Sequence, residues 1–119
     1  MKYEITLTTV NNLALLFEKQ NKLDEAELLY KRALKGQEEM LGRKHSDTLM
    51  TVNNLAGLFY KQNKLDEAEL LFQRALEGYE EILGPKHPNT LNTVKWMIHI
   101  LNQQGRLDEA NELKSKYKI

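Results

Sequence analysis

Apolar residues recur along this chain at helical spacing, broken at regular intervals by asparagine, glycine and short polar turns. Val52, Leu55, Ala56 and Phe59 fall at i, i+3, i+4 and i+7, the stripe of an amphipathic helix. Further on, Ala68, Phe72 and Ala75 share one face of a second helix. The same arrangement stands 42 residues earlier, in Val10, Leu13, Ala14 and Phe17 followed by Ala26, Tyr30 and Ala33. Asn11-Asn12-Leu13-Ala14 returns as Asn53-Asn54-Leu55-Ala56. Lys22-Leu23-Asp24-Glu25-Ala26-Glu27 returns as Lys64-Leu65-Asp66-Glu67-Ala68-Glu69, and more loosely as Arg106-Leu107-Asp108-Glu109-Ala110-Asn111. Between residues 6–47 and 48–89, 31 of 42 positions are identical, and a partial third unit occupies 90–119. A fixed period of this length is the signature of a repeat architecture.

The pattern predicts two helices per unit. The first, helix A, spans about 6–20, 48–62 and 90–104; helix B spans about 23–41 and 65–83, with a shorter last one over 107–117. Between A and B the same position reads Asn21, Asn63 and Gly105, the residue types that tolerate a left-handed backbone at a helix end. Asp24-Glu25, Asp66-Glu67 and Asp108-Glu109 put negative charge in the first turn of helix B, where the helix dipole favours it. Gly42 and Gly84 close helix B, and Asp47 and Asn89 are the expected caps of the next helix A. A two-helix unit cannot cover its own apolar surface, so each must stack on its neighbour. The expected fold is therefore all-α, one domain over 1–119 with about two and a half repeats and six helices.

Composition narrows the function. Lys+Arg and Asp+Glu both number 17, without the basic surplus that binding to nucleic acid or an anionic membrane calls for. No apolar run approaches the roughly 18 residues of a membrane span, and residues 1–9 lack the layout of a signal peptide. The chain has no cysteine, which removes disulfides, thiol catalysis and thiolate metal sites and suits a reducing, cytoplasmic setting. His45 and His87 hold the same loop position one repeat apart, too distant to share a metal, and read as structural; His99 stands alone on a helix A. Glu38-Glu39 and Glu80-Glu81 are adjacent acids that point to different faces. No phosphate loop, catalytic triad or metal spacing occurs, so neither an enzyme nor a cofactor is expected.

The run of Val10, Leu13, Ala14, Phe17, Ala26, Tyr30 and Ala33, and its copy in the second unit, resembles the tetratricopeptide repeat family. That family's usual repeat is 34 residues with a proline ending helix B; here Glu38 and Glu80 stand in that place and helix B continues. The 42-residue period, the Asn-Asn-Leu-Ala string and the loop around Leu83-Gly84-Pro85-Lys86-His87-Pro88 are similar to the kinesin-light-chain-like subclass. The resemblance implies a right-handed superhelical solenoid of antiparallel helix pairs, whose A helices line a concave groove that takes a peptide or partner protein. By register, the groove positions are Thr8, Asn11, Asn12, Leu15, Glu18 and Lys19, then Met50, Asn53, Asn54, Gly57, Tyr60 and Lys61, then Asn92, Lys95, His99, Asn102 and Gln103. Asparagine amides both donate and accept, which suits holding a peptide backbone. Lys19, Lys61 and Lys95 suit an acidic ligand, and Met50 and Tyr60 offer apolar contact. Asn12 and Asn54 have a second reading, as bonds between neighbouring helices. The family's carboxylate clamp for chaperone tails is not expected, because Asn11 and Leu15 stand where it places Lys and Asn.

The third unit departs from the pattern. Ile98 replaces the small residue of helix A, Lys114 and Tyr117 replace the aromatic and alanine of helix B, and the last helix is largely polar, as a terminal cap requires. The first helix A is apolar almost all round between Leu13 and Phe17, with only five residues before it, so an uncovered apolar edge is expected there. Two functions follow: a protein- or peptide-binding module, or a natural or engineered repeat scaffold that self-associates through its first helix.

Overall fold

The computed structural model describes the backbone of residues 2–119 and the side chains of residues 7–119. Six helices follow in order, α1 Lys2–Lys19, α2 Leu23–Leu41, α3 Ser46–Lys61, α4 Leu65–Leu83, α5 Pro88–Gln103 and α6 Leu107–Tyr117, with no strand among the described residues. Each packs chiefly on its neighbours in sequence. The radius of gyration is 14.5 Å and the extents are 45 × 31 × 18 Å, against a radius of about 13.5 Å for a compact domain of this length. The molecule is a short solenoid of three helix pairs.

The B helices begin and end where the apolar pattern puts them. Asn21, Asn63 and Gly105 adopt φ of 61°, 61° and 72°. In each case the chain closes helix A in the same way. Lys22, Lys64 and Arg106 donate their backbone N–H to the carbonyls of Phe17, Phe59 and Leu101 at 2.8, 2.8 and 2.9 Å. These bonds span five residues and satisfy carbonyls that the helix itself leaves open.

The A helices start earlier than expected, at Ser46 and Pro88, and their caps differ accordingly. Asp47 and Asn89 lie inside the first turn. His45 and His87 cap instead, in extended backbone, with Nδ1 accepting the N–H of Asp47 and of Asn89 at 3.1 Å. In α5 the cap moved because Pro88 supplies a helix start with no N–H to satisfy, which places the capping position one residue before it. This gives both loop histidines a structural task.

Small residues set the helix spacing. Ala14, Ala26, Ala33, Ala56, Ala68, Ala75 and Ala110 are wholly buried, and Tyr30 and Phe72 fill the space beside them. Gly36 and Gly78 are approached still more closely. A Cβ on either would stand about 2.5 Å from the side chain of Leu7 or Leu49, well inside ordinary van der Waals contact.

Successive pairs are also tied by charge at the repeat period. Glu27 faces Lys64 at 3.6 Å, and one repeat on Glu69 receives Arg106 through two bonds of 2.7 and 3.1 Å. Glu38, which stands where the family's proline would be, bonds Arg74 of the next B helix. Its counterpart Glu80 accepts from the hydroxyl of Tyr117 at 2.6 Å. Tyr117 is half-buried against the core, so the last helix closes the stack with an aromatic as well as with polar residues.

The left-handed turn gives a stability test. Asn63→Ala is expected to lose about 1 kcal/mol in urea unfolding, while Asn63→Gly holds or exceeds wild-type stability.

Candidate functional site

The A helices are cross-linked by side chains near one face, and these links shape two adjoining clefts. Between α1 and α3, the carboxylate of Glu18 accepts from the hydroxyl of Tyr30 at 2.8 Å and pairs with Lys61 at 2.5 Å. Burial, and then the carboxylate itself, push the Tyr30 phenol far above its ordinary range, so it keeps the proton that it donates to Glu18. Between α3 and α5, the Thr93 hydroxyl lies 3.1 Å from both Asn53 Oδ1 and the Asn89 carbonyl. Tyr60 and His99 are joined through the phenol oxygen and Nε2 at 2.7 Å.

The first cleft, about 240 Å3, is bounded by Leu15 and Glu18 of α1, by Asn53, Asn54, Gly57 and Lys61 of α3, and by Asn92 and Trp96 of α5. The second, about 290 Å3, lies between Tyr60 and the residues Asn92, Lys95, Trp96 and His99. Both volumes fall just below the range of about 300–1,000 Å3 usual for cofactor and drug-sized ligands.

Trp96 stands between the two clefts. Its ring stacks on buried Phe72 with centroids 5.6 Å apart and an interplanar angle of 14°. Tyr60 meets it edge-on at 5.4 Å, and His99 at 6.3 Å. An aromatic fixed on one side by the core and open on the other is a rigid contact surface that loses little entropy on binding.

The register from the sequence finds most of this surface. Leu15, Asn53, Asn54, Gly57 and Lys61 come together in the first cleft, and Tyr60, Lys95 and His99 in the second. Asn11, Asn12, Lys19, Met50 and Asn102 line neither. Asn12, Lys19, Met50 and Asn102 are exposed, and the carbonyl oxygen of Asn11 is buried without a hydrogen-bond partner. The bond between neighbouring helices is made by Asn53, whose Oδ1 lies 3.1 Å from the Thr93 hydroxyl, and not by Asn54, although both line the first cleft. Trp96 was missed by the sequence reading. Its signal was available: it lies 42 residues after Asn54, in the register that supplied every other position.

Three helix pairs in nearest-neighbour contact, with clefts along their first helices, define a helical repeat protein of the interaction or scaffold type. The chain belongs to the tetratricopeptide repeat family, whose sequence model matches residues 5–81 and again 47–116. No curated protein sequence matches it. Among solved structures it is similar to BtubC (BKLC) from P. vanneervenii, with a TM-score of 0.88, 21% identity, and coverage of 97% of this chain and 45% of that one. It is also similar to nearly identical TPR-like repeats of kinesin-light-chain type from Podosopora anserina, with a TM-score of 0.81, 21% identity, and coverage of 94% and 53%. A single-substitution variant of those repeats has a TM-score of 0.84, 21% identity, and coverage of 98% and 55%. These likenesses are in fold, and the chain spans about half the length of these structures.

The Glu18–Lys61 pair separates structural charge from free charge in the site. Glu18 is mostly buried and Lys61 half-exposed. A double-mutant cycle with Glu18→Gln and Lys61→Met is expected to give a coupling of about 0.5–1 kcal/mol in urea unfolding.

Proposed function

We propose that the protein is a non-catalytic interaction module that holds an extended segment of a partner protein across α1, α3 and α5. The observation that carries this reading is the rigid aromatic wall of Trp96, Tyr60 and His99, set beside Lys95 and the amides of Asn54 and Asn92. The aromatics offer apolar contact, and the amides can hold peptide groups whatever side chains the ligand carries. Lys95, at the second cleft, has no ion-pair partner among the described residues, whereas Lys61 is already paired with Glu18. A free lysine at the groove favours an acidic segment. The family is generally non-catalytic.

Trp96 is the only tryptophan, so occupancy can be read from its emission. Peptides selected from a random dodecamer display library should be rich in Asp and Glu and should shift that emission. Lys95→Glu should weaken them about tenfold and Lys61→Met by less than about threefold. Selected peptides that bind without touching the Trp96 signal would sink this reading.

A second reading, self-association through α1, has its own observation. Leu13 and Leu16 are 40% and 48% exposed, while their counterparts Leu55 and Leu58 are 3% and 0% exposed. A preceding repeat, where a longer parent chain supplies one, would cover the same face by the same packing. For the chain alone, sedimentation at rising concentration should show association that the Leu13→Glu, Leu16→Glu double variant abolishes. A wild-type monomer throughout the range would exclude it.

A further inference from the structure

Five of the six glycines have a reason in the fold. Gly42, Gly84 and Gly105 adopt φ of 96°, 89° and 72°, and Gly36 and Gly78 leave room for Leu7 and Leu49. Gly57 has neither reason. It lies inside α3 in ordinary helical backbone, and a Cβ built there would meet nothing within 4 Å. Glycine in a helix interior is less favourable than alanine, so the fold alone would be served better by a side chain. Larger residues fit at this register, because α1 carries Leu15 and α5 carries His99 there. The space above Gly57 opens into the cleft between Leu15 and Trp96.

We propose that Gly57 is the point at which a bound segment touches α3 in the groove. Its missing side chain lets the backbone of an extended acidic segment cross α3 at this point, between Leu15 and Trp96. The inference rests on the groove reading above and adds where, and by which part of the ligand, α3 is touched. Backbone is the occupant because the walls are amides: Asn54 and Asn92 face the cleft with no hydrogen-bond partner among the described residues, and each can donate to and accept from a peptide group. Close approach of one backbone to another is what the absence of a Cβ permits. The unpaired Lys95 at the α5 wall supplies the preference for an acidic segment.

The test uses a dodecamer selected from a random display library on the wild-type protein, fluorescein-labelled and titrated by anisotropy against Gly57→Ala, Gly57→Leu and Trp96→Ala. Gly57→Leu should weaken binding about tenfold or more, and Gly57→Ala about two- to fivefold. Gly57→Ala should at the same time raise Tm by about 2–5 °C, since alanine suits the helix better. A more stable protein that binds less well is a split that a purely structural role would not produce. If Gly57→Leu does not fold, the Gly57→Ala split decides alone. Wild-type affinity in the glycine variants, with Trp96→Ala impaired, overturns the Gly57 proposal and leaves the groove reading standing. Wild-type affinity in all three variants, or a library that yields no binder, overturns both.

Discussion

In this fold the apolar stripe of each helix A needs two B helices to cover it, its own and the one before. Helix α3 has both, and Leu55 and Leu58 are buried. Helix α1 has only α2, and the same two positions, Leu13 and Leu16, are left half in solvent. Full burial of a leucine contributes about 1.5–3 kcal/mol, so this single contact accounts for much of what one repeat gains from the next. Stacking is therefore the source of stability, and a lone pair would be marginal.

Close packing within each pair depends on what is absent from the B helices. Gly36 and Gly78 admit Leu7 and Leu49 of their own pair, and the buried alanines keep the remaining crossings short. Charges tie successive pairs at the repeat period, so Glu27–Lys64 and Glu69–Arg106 form at the same place in successive units. The first helices then lie near enough for Glu18 to reach Lys61, Asn53 to reach Thr93, and Tyr60 to reach His99. The groove is a consequence of the stacking distance, and its links are rigid because they bridge elements already fixed by the core.

The first two units, so alike elsewhere, differ at positions that face the groove. Leu15 becomes Gly57 and Glu18 becomes Tyr60, while the buried positions hardly change. In the third unit Asn54 becomes Trp96 and Gly57 becomes His99. This places amide and aliphatic character toward α1 and aromatic, basic character toward α5.

Local features were legible in the sequence because they rest on local physics. Helix B boundaries followed from apolar spacing, and the left-handed Asn21, Asn63 and Gly105 from backbone sterics, neither of which needs a partner. The caps were misplaced by a short distance, because an imidazole Nδ1 accepts a backbone N–H only once the loop brings it back over the helix start. The site was half legible. Register alone identified which helix face would be shared, but it could not say that Asn53 is spent on Thr93, that Lys61 is held by Glu18, or that Trp96 rests on Phe72. Those are contacts between residues about 20 to 45 positions apart, and they exist only after three helices have been packed side by side. The sequence by itself thus determined the repeat, its helices and their order. Only the tertiary structure decided which polar groups are consumed by the fold and which remain free to bind.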